Sequence, residues 1–195
     1  GRIGELDVDD VAALTRKVLD DAPAGVLDEK RVAVYGGSHG GFLTAWLLAA
    51  ERTRALYCGG ALWNPVVDLP AMAATTDIPE WCVAEALGGF DAQWPIGTDA
   101  LRRLHEASPI SRADGVRVPT LTLIGAADAR VPPSQGREWV AALESCRGGD
   151  SAESELGSVE ALEYAGEGHA IAGAASNAHA IQSALQWLCR LLAVV

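Results

Sequence analysis

Three side chains far apart in this chain could together make a hydroxyl nucleophilic at neutral pH. Ser38 lies in Gly36-Gly37-Ser38-His39-Gly40-Gly41, Asp128 follows Ile124-Gly125-Ala126-Ala127, and His169 follows Gly166-Glu167-Gly168. A serine hydroxyl is a poor nucleophile until a base takes its proton during attack. An imidazole can serve as that base, and a carboxylate on its far nitrogen fixes the tautomer and stabilises the imidazolium that forms. The imidazole works only while neutral, so activity is expected to fall as the pH drops through the histidine range. The chemistry that such a set supports is acyl transfer through a covalent serine intermediate.

The elements that would position these residues can be read around them. Arg31-Val32-Ala33-Val34-Tyr35 is short and β-branched, and Phe42 to Ala50 is a long apolar run suited to a buried helix. Between them, G-x-S-x-G is the pattern of a strand-to-helix elbow that holds a serine hydroxyl out of the sheet. Ser38 is expected in a strained backbone conformation, and a side chain at Gly36 or Gly40 is expected to crowd the adjoining strand and helix. The backbone N–H of His39 is the expected oxyanion donor, while its side chain is not placed to reach back as base. Two blander readings of the glycines are a turn with a bystander serine and a phosphate-binding loop. The second lacks the lysine that follows the glycines of a P-loop.

Along the rest of the chain, Asp7-Val8-Asp9-Asp10 opens a helix whose Val11, Leu14, Val18 and Leu19 follow helical spacing to about Asp21. A second strand is expected near Leu56–Trp63, ended by Asn64-Pro65. Residues 66–110 read as short helices, including Ile78–Leu87 after a capping Asp77 and Asp99–Ala107 after Thr98. A third strand covers Thr120–Ile124, a helix about Ser134–Ser145, and a fourth strand Val159–Tyr164. Arg147 to Glu155 is polar and small, the composition of a mobile surface loop. The last helix, about Asn177–Leu192, sets Ile181, Leu185, Leu188 and Leu192 on one face. Strands alternating with helices predict an α/β fold, a parallel sheet with helices on both faces. Only four strands are evident, so the chain reads as the C-terminal part of a larger α/β domain.

Asp128 and His169 fall just after the third and fourth strands, where such sheets assemble their sites. Serine, then acid, then histidine is the chain order of the α/β-hydrolase fold. Rival bases are His105, which precedes Asp128 in a helical segment, and His179, which lies early in the last helix. Rival acids are Asp114, ahead of the third strand, and Glu167, read as a solvated loop acid.

Composition excludes several other classes. With 195 residues and a formal charge of −11, the chain is one acidic domain, poorly suited to nucleic acid or an anionic membrane. No apolar run approaches the roughly 20 residues that span a bilayer, and Gly1-Arg2-Ile3-Gly4-Glu5 has no signal-peptide character. Cys58, Cys82, Cys146 and Cys189 are widely spaced without a C-x-x-C pair, which suits free thiols in a reducing, cytoplasmic setting. No His/Cys cluster has ligand spacing, so no metal is expected.

Several stretches together resemble the catalytic domain of acylaminoacyl peptidases, within the prolyl-oligopeptidase group of serine peptidases. They are Asp7-Val8-Asp9-Asp10-Val11, the elbow through Phe42, Asn64-Pro65-Val66-Val67, Thr76 to Cys82, Ser108-Pro109-Ile110, Asp128 to Pro132 with Gln135-Gly136, and Gly168-His169-Ala170. The segment around Trp81 separates this group from generic lipases and esterases. The resemblance covers nearly the whole chain and implies Ser38 as nucleophile, Asp128 as orienting acid and His169 as base. It implies removal of an N-acylated amino acid from a short peptide, without metal or organic cofactor, in a cytoplasmic and often oligomeric protein. Trp63, Asn64, Trp81 and Arg130 are candidates for the substrate pocket, with core or fold-stabilising roles as the alternative for each. Family members resemble a β-propeller followed by a full hydrolase domain, and this chain corresponds to the later part of the latter. The upstream glycine-containing loop that supplies a second oxyanion donor is outside it. Loss of such a donor costs about 3 kcal/mol of transition-state stabilisation. A dipeptidyl peptidase, an oligopeptidase, a serine esterase and an inactive interaction module are the competing readings.

Overall fold

The computed structural model describes residues 1–89, 94–147 and 157–192. The loop expected at Arg147–Glu155 therefore lies, from residue 148 onward, outside the described residues. The elements run α1 (Leu6–Asp21), β1 (Ala33–Gly37), α2 (His39–Ala49), β2 (Gly59–Trp63), α3 (Leu69–Thr75), α4 (Pro79–Leu87) and α5 (Thr98–Glu106). They continue with β3 (Thr120–Gly125), α6 (Pro133–Cys146), β4 (Val159–Tyr164) and α7 (Ala174–Leu192). All four strands are parallel, in the order β1-β2-β3-β4. A parallel neighbour must be reached by a crossover, so the chain passes over one face or the other between strands.

Alternation along the strands divides the core in two. Leu62 of β2 packs with Phe42 and Leu47 of α2 and with Trp139 and Leu143 of α6. Its neighbour Ala61, with Leu121 and Leu123 of β3, faces Ala180, Ala184 and Trp187 of α7. This is the period-two pattern of a sheet covered on both faces. Helix α2 is buried along nearly its whole length, which is why its sequence is almost entirely apolar. Its one hydroxyl side chain, Thr44, donates back to the Gly40 carbonyl at 2.9 Å.

Two helices turn a different stripe inward from the one their larger residues suggest. In α7, Ile181 and Leu185 are 46% and 57% exposed, whereas Ala180, Ala184 and Trp187 are buried. The two stripes have the same helical spacing, offset by one residue, and the sheet decides between them. Gly59 presents no side chain, and a Cβ there would lie 2.6 Å from Leu191 Cδ2, so the helix comes close on its alanine stripe. The Trp187 indole N–H then reaches Glu160 Oε1 at 2.9 Å. In α1, Val8 and Ala12 are the buried residues, while Leu14 and Val18 are exposed. Asp77 does not cap α4, whose N-cap is Ile78 without a side-chain bond; its carboxylate is taken by Arg130 instead.

Candidate active site

Ser38 stands between the last residue of β1 and the first of α2, with φ 57° and ψ −121°. A left-handed φ costs a non-glycine residue about 1–3 kcal/mol and persists only where the surroundings fix it. Here the Ser38 N–H donates to the Trp63 carbonyl of β2 at 2.8 Å, and its carbonyl accepts the Phe42 N–H of α2 at 3.1 Å. The close approaches occur at Gly36 and Gly41. A Cβ on Gly36 would run into the Gly40 carbonyl, and one on Gly41 would lie 2.8 Å from Pro65 Cα. Gly40, expected to be crowded, has nothing within 4 Å of a built Cβ, because that position faces away from the sheet.

Asp128 and His169 meet across the loops after β3 and β4. The Asp128 side chain is fully buried, and its Oδ2 accepts from His169 Nδ1 at 2.6 Å. Its other oxygen accepts the backbone N–H groups of Arg130 and Val131, at 2.8 and 3.0 Å. A carboxylate only accepts, so Nδ1 carries a hydrogen, and in the neutral ring Nε2 is then the nitrogen with the lone pair. The ring is 34% exposed, which leaves one edge open to a substrate.

The two loops are tied to each other by main chain. The Ala126 N–H donates to the Tyr164 carbonyl at 3.0 Å, and the Ala127 N–H to the Glu167 carbonyl at 2.8 Å. The Glu167 carboxylate turns back to accept the Gly173 N–H at 3.0 Å, beside the start of α7. A Ser176 hydrogen bond, followed by the Gly173 N–H, holds its carboxyl below the usual glutamate range. Glu167 is therefore a solvated loop acid, as expected, that also fastens the histidine loop.

The remaining candidates divide. His39 Nε2 lies 3.2 Å from Asp7 Oδ2, with its ring stacked on Phe42 and edge-on to Trp81 at 6.0 Å. Trp81 thus stands beside the residue that follows Ser38. Trp63 packs into the core on the α7 side of the sheet. Arg130 makes two bonds to Asp77, at 2.7 and 3.2 Å, and this guanidinium lowers the Asp77 carboxyl from its ordinary range. Asn64 is buried and spends its amide on backbone groups of the acid and histidine loops. Nothing in the sequence flagged that use of Asn64, since its partners lie 61 and 105 residues away. The rivals fall elsewhere: His179 pairs with the Tyr164 hydroxyl at 3.1 Å, and His105 and Asp114 are exposed. Burial pushes the Cys82 thiol up to about 12, so it offers no thiolate. Among the described residues, no group of three or more His, Cys, Asp or Glu could hold a metal ion.

A serine elbow followed in chain order by a bonded Asp–His pair, on a parallel sheet, is an α/β-hydrolase arrangement. Residues 1–194 match the prolyl oligopeptidase family. The chain belongs to that family. Acylamino-acid-releasing enzyme 1 of Oryza sativa subsp. japonica is 41% identical over 148 residues, which cover 74% of this chain and 18% of the relative. The acylamino-acid-releasing enzyme of Sus scrofa is 31% identical over 189 residues, covering 97% and 24%. The crystal structure of a puromycin hydrolase superposes with a TM-score of 0.81 at 29% identity, over all of this chain and 26% of that one. The acylaminoacyl peptidase of Pyrococcus horikoshii has the same fold, with a TM-score of 0.77 at 22% identity over 98% of this chain and 28% of that one. This chain therefore spans about a fifth to a quarter of the length of these prolyl oligopeptidase relatives.

Proposed function

We propose that this chain is the catalytic portion of a serine exopeptidase that releases an N-acylated amino acid from the N-terminus of short peptides. The observation that carries the reading is the 2.6 Å bond between His169 Nδ1 and buried Asp128, following the left-handed Ser38 elbow in chain order. In the proposed cycle, Ser38 Oγ attacks the carbonyl carbon of the acylated residue while His169 Nε2 takes the hydroxyl proton. The carbonyl oxygen becomes an oxyanion facing the His39 backbone N–H. The C–N bond then breaks, and His169 returns its proton to the leaving amine. Water, deprotonated by the same nitrogen, adds to the acyl-enzyme, and the C–O bond to Ser38 breaks to free the acylated amino acid and restore the hydroxyl.

The acylamino-acid-releasing relatives support the choice of substrate, and their greater length supports a parent protein that supplies upstream hydrolase strands and a second oxyanion donor. Four free cysteines and no helix long and apolar enough to cross a membrane, among the described residues, support a cytoplasmic setting. The test uses the full-length protein with an acetyl-alanyl peptide, a free aminoacyl amide and a short-chain ester. Preferred cleavage of the acetylated peptide, falling to below about one thousandth in Ser38→Ala, is expected. Preference for the free aminoacyl amide would instead assign the chemistry named for the puromycin hydrolase neighbour. Undiminished hydrolysis in Ser38→Ala would overturn the serine mechanism.

A further inference from the structure

Asn64 sits between the Ser38 elbow, the end of the strand that leads to Asp128, and the backbone of His169. It follows the last residue of β2, is 3% exposed, and adopts φ 42°. Asparagine tolerates this left-handed region better than most residues, but a buried one there still needs a structural cause. The cause is visible in its bonds. Its own N–H donates to the Leu123 carbonyl of β3 at 2.8 Å, and its Oδ1 accepts the Gly125 N–H at 2.6 Å. Its Nδ2 donates to the main-chain carbonyl of His169 at 2.8 Å. The preceding carbonyl, Trp63 O, holds the Ser38 N–H at 2.8 Å. One dipeptide therefore touches the nucleophile's amide, the strand end that launches the Asp128 loop, and the backbone of the histidine.

The two ends of this side chain are not interchangeable. Oδ1 faces an N–H and Nδ2 faces a carbonyl, so the amide orientation is fixed by its partners. Besides the Asp128–His169 side-chain bond, two main-chain bonds join the loops after β3 and β4, and neither of these reaches His169. The Asn64 Nδ2–H is a side-chain bond to the base's own main chain, and it comes from the strand beside the elbow. We infer that Asn64 is a positioning residue for the base, setting the distance between the Ser38 elbow and the Asp128–His169 pair, and that it is not a substrate contact. The inference rests on the serine mechanism proposed above. A base displaced by about 1 Å can cost on the order of 10²-fold in rate, whereas the substrate subsites would be unaltered.

The experiment compares the full-length protein with Asn64→Asp and Asn64→Gly. Asn64→Asp keeps the shape, the left-handed tolerance and the acceptor for Gly125, and replaces the donor to His169 with an oxygen facing a carbonyl. Asn64→Gly keeps the backbone conformation and removes both side-chain bonds. Active sites are titrated with a fluorophosphonate, the labelling rate is recorded, and kcat and KM for the acetylated peptide are expressed per labelled site. For Asn64→Asp we expect kcat and the labelling rate to fall together by about tenfold to a hundredfold, with KM within about twofold of the parent. Asn64→Gly should show the same split. A raised KM with an unchanged labelling rate would overturn the inference and make Asn64 a substrate contact. A lower melting temperature with unchanged kcat per labelled site would overturn it as well, leaving a purely structural residue. Failure of the serine mechanism itself reads differently, because Ser38→Ala would then still label or still turn over.

Discussion

At Ser38 the chain turns with a left-handed φ between glycines that are not equivalent. Gly36 abuts the Gly40 carbonyl and the Thr44 hydroxyl, so a methyl group there must move backbone, not merely a flexible side chain. Gly40 looks into open space from the first turn of α2. Gly36→Ala is expected to cost at least about 2 kcal/mol and to abolish fluorophosphonate labelling, by forcing apart the strand and helix that hold the serine. Gly40→Ala is expected to be neutral or to gain up to about 1 kcal/mol, since alanine lowers the entropy lost on folding in a helix. Denaturant midpoints and labelling rates measure both, and the opposite ranking would mean that the elbow packs another way. Such distinctions between neighbouring glycines are invisible in a motif. Ser38, Asp128 and His169 could be picked out because each follows a strand-like run and each has a chemistry of its own. The bracing roles of Asn64 and Glu167 could not, because their partners are backbone groups of loops whose meeting depends on strand order.

At the scale of elements, the loop carrying His169 depends on how α7 begins. Glu167 accepts the Gly173 N–H, and the Asn177 amide donates to the carbonyl of Ile171, a buried residue at φ 46°. The Glu167 carboxyl lies below its ordinary value of 4.5, chiefly through Ser176 and then Gly173. A depressed carboxyl means that the folded state favours the ionised form. Its contribution is therefore present above the unfolded value and disappears as the pH falls through the lower folded one. Glu167→Gln is expected to melt below the parent at pH 7, with the gap closing as the pH is taken below 4.5. Thermal scans across that range check it, and a gap that persists in acid would show that the carboxylate charge is not what fastens the loop. The same helix shows where sequence reading stops. Its existence and its end at Leu192 follow from its apolar period, although it begins at Ala174, three residues before the expected start, and two stripes of the same spacing compete for the sheet. The choice of the alanine stripe follows from Gly59 on a strand more than a hundred residues earlier.

Over the whole molecule, β1 and β4 are the two edge strands of the described sheet, and β1 carries an exposed aromatic residue. Among the described residues β1 pairs with β2 alone, Tyr35 in its centre is 51% exposed, and α7 packs across β1, β2 and β3 with Ile181 and Leu185 facing out. An uncovered parallel edge with apolar neighbours is a template for another strand. The parallel α/β class and its four strands could be read from the sequence, whereas which strands form the edges could not, since strand order is a property of tertiary packing. The isolated chain is expected to self-associate with rising concentration in sedimentation velocity, and Tyr35→Lys to reduce that association by placing a charge on the edge. In a full-length protein whose upstream strands cover β1, the same lysine would be pressed into an interface and should lower stability instead. The sign of one substitution thus reports whether the edge is covered. An isolated chain that remains monodisperse, and gains nothing from Tyr35→Lys, would show that β1 needs no further strand. The second oxyanion donor would then have to come from somewhere other than a strand paired to it.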